Sequence, residues 1–195
     1  MYNNKRTNVC KRGDDMPLLD DYNKTEKING VIYNMSPSGG FSHGLVNGNI
    51  YYSFRKQLKD SICMVSVENL DLYLSEDEYV NPDVMLICDR NQVKKDKYRG
   101  VPKFVAETLS PSTAFKDRTV KMRAYAKHGV DEYWIVDPKS RSVEVYYLED
   151  GKYELVKSLI LEDDEEDSDY NAKTVITLKA MPSISITLEE IFEAI

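Results

Sequence analysis

Three short apolar runs constrain the fold of this chain more than any other feature. They are VNPDVMLICD (80–89), VPKFVAETLS (101–110) and EYWIVDP (132–138), and turn-forming residues interrupt or follow them. Runs of this length and composition are typical of buried strands. None approaches the ~18 apolar residues of a membrane span. Because 195 residues, 42% of them hydrophobic, suffice to bury one core, we expect a polar, flexible tail over residues 1–15 and a single domain over residues 16–195.

Helical periodicity predicts two longer helices. Apolar residues recur at helical spacing over residues 42–59, with His43 on the same stripe and Ser42 as a suitable N-cap. A second helix is predicted over 116–128, where Gly129 is a suitable C-terminal residue. A short final helix should begin after Thr187, because Glu190 three residues later completes a capping box.

The remaining segments complete a mixed α/β pattern. A strand is predicted over 31–35, apolar strand-forming residues recur over 62–75, and 142–160 predicts a β-hairpin with Asp150-Gly151 at its turn. A further strand, beginning at Thr174, precedes a proline-marked loop. The order of helices and strands is not a repeated βαβ unit. We therefore expect a central mixed β-sheet flanked by helices, with the hairpin added to it.

The charge distribution is uneven along the chain. A net charge of −7 argues against a protein that coats nucleic acid non-specifically. Residues 162–169 are nearly all acidic, which indicates an exposed loop, whereas 90–103 and 116–127 are basic. Each basic run is either a solvated surface or a surface that faces phosphate. The net charge is thus a poor guide to the local field.

The cysteines and the chain start bear on the compartment. Cys10, Cys63 and Cys88 are odd in number and far apart in sequence, so they predict neither a disulfide framework nor a metal knuckle. Cys63 and Cys88 are interpreted as small apolar residues in or near strands. The first residues lack the apolar segment of a secretory signal. We expect a soluble, cytoplasmic protein.

Two carboxylates in the apolar strands are the first candidates for chemistry. Asp83 begins the run DVMLIC and Glu107 lies near the end of FVAETLS. A carboxylate in a buried strand needs a cation, a hydrogen-bond donor or solvent. If the two strands are adjacent, Asp83, Glu107 and the backbone carbonyl of Thr108 can hold one hard cation such as Mg²⁺.

A lysine beside such a cation would orient a water molecule and offset negative charge. Leu109 stands two residues after Glu107, so the strand itself offers no lysine there. Asp117, Lys121 and Tyr125 recur every four residues and share one helix face, which makes Lys121 the best candidate. Asp117 would hold Lys121 or approach the metal; the alternative is an exposed Asp–Lys pair of little energetic weight.

Two further residues have less support from spacing. His43 lies on the apolar side of the first predicted helix. It is interpreted first as a hydrogen-bonded core histidine and second as a ligand or phosphate contact. Glu26, just before the predicted strand, is either a surface carboxylate or part of the site.

The motifs NPDVMLICD, VAETLSPST and DRTVKMRAYAKHGVDEYWIVDP occur in this order over residues 81–138, and EKINGVIYNMSPSGGFSHGLVNGNI precedes them. Together they resemble the Uma-two family of restriction-endonuclease-like nucleases, a branch of the PD-(D/E)xK superfamily. The resemblance covers residues 25–155. Several spaced motifs in order make it specific, although this family more often has aspartate where this chain has Asn29.

The resemblance implies a restriction-endonuclease-like core with a metal site at Asp83 and Glu107. It also implies that the lysine usually found two residues after the glutamate is displaced to Lys121, and it matches His43 and Glu26 to recurring family positions. The expected activity is Mg²⁺- or Mn²⁺-dependent cleavage of DNA. The alternative is an inactive nuclease fold that serves interaction or nucleic-acid binding.

The expected partners are DNA and a second copy of the chain. Basic side chains would follow the DNA backbone: Lys94, Lys95, Lys97, Arg99, Arg118 and Arg123. Because paired cuts in a duplex need two sites, a homodimer is expected. No membrane partner is expected.

Overall fold

A computed structural model describes residues 24–35, 40–162 and 171–195. The predicted tail, Cys10 and most of the acidic run lie outside the described residues. The strands are β1 (Thr25–Ile28), β2 (Val31–Asn34), β3 (Met64–Val67), β4 (Asp71–Tyr73), β5 (Tyr79–Val80), β6 (Val84–Ile87), β7 (Val93–Lys94), β8 (Lys97–Tyr98), β9 (Phe104–Thr108), β10 (Glu132–Asp137), β11 (Ser142–Glu149), β12 (Lys152–Ile160), β13 (Val175–Thr177) and β14 (Ser185–Thr187).

The helices are fewer. Helix α1 spans Phe41–Gln57, and a short 3₁₀ turn spans Arg90–Gln92. Ala114–Lys116, the π-helical turn Asp117–Lys121 and Met122–Lys127 follow one another without a break and are together called α2. Helix α3 spans Leu188–Ile191. Among the described residues, no helix is long and apolar enough to cross a membrane.

A central mixed sheet confirms the predicted fold class. Its strand order is β12-β11-β10-β9-β6-β3. The pair β9 and β10 is parallel, whereas the other neighbouring strands are antiparallel. The crossover between β9 and β10 contains α2, as a parallel pair requires a long connection. Strands β6, β9 and most of β10 are buried, which explains their continuous apolar sequences.

Alternation along β9 divides the core into two faces. Phe104 and Ala106 pack with apolar residues of α1 and α3, while Val105 packs with Tyr125 of α2 on the other face. By the same alternation, Thr108 points towards α1 and Glu107 towards α2. The sheet therefore places helices on both of its faces, and polar residues at the end of β9 face each of them.

A second sheet was not predicted from the sequence. Its order is β2-β1-β5-β4-β8-β7, and its apolar residues join the core on the α2 side. Residues 25–28, for which no strand was predicted, form β1, in which Glu26 and Ile28 both point inwards. The basic run 90–103 contains the 3₁₀ turn and the hairpin β7–β8, and residues 62–75 divide between β3 and β4. Glu68, with φ of 54°, turns the chain between the two sheets.

The two C-terminal predictions hold. Strands β11 and β12 form the expected hairpin, in which Asp150 and Gly151 adopt φ of 48° and 78° at the turn. Thr187 caps α3 with the complete capping box formed by Glu190. The proline-marked loop returns as β14, which pairs with β13 and was not predicted.

The predicted start of α1 was wrong. The N-cap is Gly40, with φ of 88°, and Ser42 already lies inside the helix. Glycine accepts this left-handed conformation without steric cost, so the chain can enter the helix before the serine is reached. The helix itself buries Val46, Ile50 and Phe54, as the periodicity predicted.

The cysteine prediction was also wrong. Cys63 and Cys88 form a disulfide. They lie just outside β3 and β6, whose antiparallel register pairs Met64 with Ile87 and so brings the next two positions face to face. Cys63 and Cys88 are far apart in the sequence, and only the pairing of β3 with β6 brings them together.

Candidate functional site

The register of β6 and β9 places the two candidate carboxylates side by side. Val84 pairs with Ala106, so the next residues along the chain, Asp83 just before β6 and Glu107 in β9, lie next to each other. The backbone N–H of Thr108 donates to Oδ2 of Asp83 at 2.8 Å, which holds the end of β9 against this carboxylate.

Glu107 is buried and turned towards α2. Its Oε2 accepts a hydrogen bond from Nζ of Lys121 at 3.0 Å, and its Oε1 accepts one from the hydroxyl of Tyr125 at 2.5 Å. Asp117, Lys121 and Tyr125 were predicted to share one helix face, and the structure brings Asp117 to 3.7 Å from the Lys121 ammonium. The exposed Asp–Lys alternative is wrong, because both residues are buried.

Glu26 is also buried, which excludes the surface alternative. Its Oε1 lies 3.0 Å from Nζ of Lys121, and its Oε2 contacts the ammonium of Lys116. Burial alone would raise the pKa of Glu26, but Lys121 and Lys116 outweigh it, so the pKa is lowered. Glu26 is therefore an ionised anchor for two lysines of α2.

The cluster contains more carboxylates than cations. Within the described residues, the cluster has four carboxylates, which belong to Glu26, Asp83, Glu107 and Asp117. They face two ammonium groups, those of Lys116 and Lys121, and the imidazole of His43. Oδ1 of Asp117 is buried and has no hydrogen-bond partner within the described part of the chain. A buried carboxylate oxygen without a hydrogen bond is costly, and the Lys121 ammonium, 3.7 Å from this one, compensates it only through its charge.

The pKa values reflect this excess. Burial, reinforced by the charges of Asp83, Asp117 and Glu26, raises the pKa of Glu107 well above its usual range, although Lys121 opposes the shift. Burial likewise raises the pKa of Asp117. Burial would lower the pKa of Lys121, but the surrounding carboxylates raise it well above its ordinary value, so this lysine stays charged.

A ring of hydrogen bonds fixes Asp83 from the α1 side. Nε2 of His43 donates to Oδ2 of Asp83 at 3.2 Å, and Nδ2 of Asn47 contacts Nδ1 of His43 at 3.2 Å. Oδ1 of Asn47 accepts from the Thr108 hydroxyl at 2.6 Å, which closes the ring. With a neutral imidazole, the Asn47 donor places the His43 proton on Nε2. Burial lowers the pKa of His43, but Asp83 outweighs it and the net shift is upwards.

Sequence reasoning missed Asn47 and Glu68. Asn47 is one helical turn after His43, and this spacing was the available signal. Glu68 accepts from Nδ2 of Asn47 at 2.8 Å. One ligand atom each from His43, Glu68 and Asp83 lie within 4.8 Å of one another, a grouping that can hold a metal ion. This set differs from the predicted one, because Glu107 is drawn towards α2.

Several of these residues line a cavity of about 250 Å³. Its wall combines the ends of β6 and β9 with residues from β2 and the start of α2. The functional candidates on the wall are His43, Asp83, Glu107, Asp117 and Lys121, with Lys116 and Phe115 also present. The site therefore offers carboxylate and imidazole ligands beside a buried ammonium group.

The six predicted DNA-contacting side chains do not line this cavity. Lys97 and Arg99 lie over the ring of Tyr73, at 4.9 and 4.7 Å from its centroid. Arg118 donates to Glu144 at 2.6 Å. Lys94, Lys95 and Arg123 are exposed.

A mixed sheet covered on both faces, with an acidic cavity at the ends of β6 and β9, defines an α/β protein of the restriction-endonuclease-like class. Residues 14–176 match the Uma2 family model, described as "Putative restriction endonuclease". The chain belongs to this family.

Two relatives accompany this match. An uncharacterized protein of Synechocystis sp. is 30% identical over 129 residues, which cover 65% of this chain and 67% of that protein. A crystal structure from Anabaena variabilis, titled a "putative nuclease belonging to DUF820", matches with a TM-score of 0.67 and 17% identity. That match covers 87% of this chain and 90% of the other, and it concerns the fold.

Proposed function

We propose that this protein is a divalent-metal-dependent endonuclease that hydrolyses phosphodiester bonds in DNA. The observation that carries the proposal is the pairing of Asp83 with Glu107 on neighbouring strands, in a cavity that has more carboxylates than cations. Membership of a nuclease-like family supports the same activity. The alternative, an inactive interaction protein on this fold, is the outcome if the tests below fail.

The residues present fit a hard divalent cation. Carboxylate oxygens are the ligands that Mg²⁺ prefers, and Mn²⁺ also accepts imidazole. Oδ1 of Asp117, which is buried and has no hydrogen-bond partner in the described part of the chain, supports room for a further cation beside Lys121. Asp83 and Glu107 would hold the ion with the carbonyl of Thr108, and His43 and Glu68 are further donors around Asp83. When bound, the ion would supply Lewis-acid chemistry at the scissile phosphate.

The protein's own groups then have distinct tasks. Lys121 is the buried cation that would offset the charge developing on the phosphoryl oxygens as water adds to phosphorus and the ester bond breaks. Glu26 and Asp117 hold this lysine on the cavity side of α2. The ring through Asn47 and His43 fixes the rotation of Asp83, so the carboxylate meets the ion in a prepared orientation.

The proposal is tested by separating metal binding from cleavage. Glu107→Gln keeps the side-chain volume but removes a ligand charge, so calorimetry should show loss of Mn²⁺ binding together with loss of cleavage. Lys121→Ala should retain or tighten metal binding while cleavage falls by about 10²-fold or more. Glu132→Gln is the matched control, since Glu132 is a buried carboxylate of β10 bonded to Trp134 and outside the cavity.

The substrates should be linear, supercoiled and branched DNA, with and without Mg²⁺ or Mn²⁺. Wild-type protein that binds neither ion and cuts none of these substrates would contradict the endonuclease proposal. We also propose a homodimer, because two sites are needed for paired cuts; sedimentation at several protein concentrations would test it. The cytoplasmic location and the division at residue 16 stay predictions from the sequence.

A further inference from the structure

The phenylalanines divide sharply between core and surface. Of the five in the chain, Phe54, Phe104 and Phe192 are at most 3% exposed. Phe41 and Phe115 are 81% and 79% exposed. Single exposed apolar residues are common on protein surfaces, so exposure alone carries no functional meaning.

The position of the two exposed rings is what distinguishes them. Phe115 lies in the first turn of α2 and lines the acidic cavity. Phe41 is the first residue of α1, two positions before the cavity-lining His43. Both surface phenylalanines thus occupy the first turns of the two helices that supply polar residues to the proposed site.

The cations around the cavity are already engaged by carboxylates. Lys116 and Lys121 are engaged by Glu26, and Arg118 by Glu144. The rim next to Phe115 instead carries hydroxyl groups, with Oγ of Ser110 and Oγ1 of Thr113 3.0 Å apart.

An exposed aromatic ring stacks on a nucleobase whose face is free. Such stacking contributes to single-strand binding without requiring a particular base. In a continuous duplex, the base faces are covered by their neighbours, and a base must leave the stack to meet a protein ring. The exposed ring of Phe115 at the cavity therefore favours an unpaired base.

We propose that Phe115 stacks on an unpaired nucleobase next to the scissile phosphate, so that the substrate is single-stranded or locally unpaired DNA. The substrate class rests on the proposed endonuclease function. Stacking would hold the strand while the phosphate lies over the carboxylates of the cavity.

The experiment compares Phe115→Ala with Phe115→Tyr and Tyr52→Ala. Phe115→Tyr keeps the ring; Tyr52 is an aromatic residue of α1 that is 64% exposed and outside the cavity. The probe is a single-stranded oligonucleotide containing 2-aminopurine, with Ca²⁺ replacing the catalytic ion. Phe115→Ala should bind it about 10-fold more weakly and lose the fluorescence quenching that stacking causes. The other two variants should bind it like wild type.

Cleavage provides the second readout. Wild type should cut single-stranded or flapped DNA faster than continuous duplex, and Phe115→Ala should lose this preference. Because Phe115 is exposed, the Phe115→Ala protein should have the melting temperature of the wild type.

Three results would overturn the stacking proposal: unchanged oligonucleotide binding in Phe115→Ala, a wild-type preference for continuous duplex, or dissociation of a dimer on removal of the ring. The last would assign the ring to a contact between copies. If single-strand binding depends on Phe115 but no substrate is cut, the endonuclease proposal fails while the stacking proposal stands.

Discussion

At the residue scale, Asn47 links three side chains around Asp83. It contacts His43, Glu68 and Thr108 through one amide, and His43 and Thr108 both donate to Asp83. We expect Asn47→Ala to weaken Mn²⁺ binding by about 10- to 100-fold, as is typical when a residue that orients a metal ligand is lost. Calorimetry measures this effect directly.

A matched residue tests whether the effect is specific. Asn49 lies on the same helix but donates to the carbonyls of Ile191 and Glu193, away from the cavity. Asn49→Ala should leave metal affinity unchanged. The nitrogen NMR shifts of the His43 imidazole should change in Asn47→Ala only, since that variant removes the donor to Nδ1. Unaltered metal affinity and His43 shifts in Asn47→Ala would exclude a positioning role.

How far the sequence predicts the candidate site depends on the kind of residue. Asp83 and Glu107 stood out because carboxylates are rare in apolar strands, and Lys121 followed from helical spacing. The positions of Glu26 and Glu68 beside the site depend on the second sheet, because its folding brings these distant segments together. Local pattern carries no information about such contacts, and the disulfide between Cys63 and Cys88 was missed for the same reason.

At the element scale, β10 is the most informative strand for stability. Trp134 is fully buried between Ala106 of β9 and Val145 of β11. Its ring makes edge contacts with those of Phe104 and Phe54, at centroid distances of 5.0 and 6.2 Å. Trp134→Ala should therefore lower the free energy of unfolding by about 3 to 5 kcal/mol, measured by denaturant melts.

The tryptophan also has a polar contact, because its Nε1 donates to Glu132 at 2.8 Å. Removal of the ring leaves this buried carboxylate short of a donor, which adds to the cost of the cavity. Val175→Ala, at an exposed position of β13, should change stability by no more than about 0.5 kcal/mol. A loss below about 1 kcal/mol for Trp134→Ala would contradict the central placement of β10.

Helix α2 shows where pattern-based prediction of elements ends. Spacing predicted a regular helix from residue 116, whereas the helix begins at Ala114 and contains a π-helical turn over Asp117–Lys121. Such turns are rare in proteins, and those that occur are often found at functional sites. Here the turn contains both Asp117 and Lys121, and burial of these charges against Glu26 and Glu107 offers a tertiary reason for the local departure.

At the scale of the whole molecule, the excess of carboxylates couples folding to pH and to metal. The pKa values of Glu107 and Asp117 are raised in the folded state, so the folded protein binds these protons more tightly than the unfolded chain. Their contribution to stability is therefore lost as pH rises from about 4 towards the raised values. Glu26 acts in the opposite sense, because its pKa is lowered in the folded state. Its contribution stabilises the fold at pH values above its unfolded pKa and is lost as the pH falls.

A divalent cation should reverse the loss caused by Glu107 and Asp117, since only deprotonated carboxylates bind it. We expect Mg²⁺ to raise the melting temperature more at pH 8 than at pH 5. At 100 times the dissociation constant, binding stabilises the fold by about 2.7 kcal/mol, or about 5 to 10 °C for a chain of this size. Thermal melts of wild type and Glu107→Gln, with and without Mg²⁺, measure this. Equal shifts at both pH values, or an undiminished shift in Glu107→Gln, would show that the ion binds elsewhere.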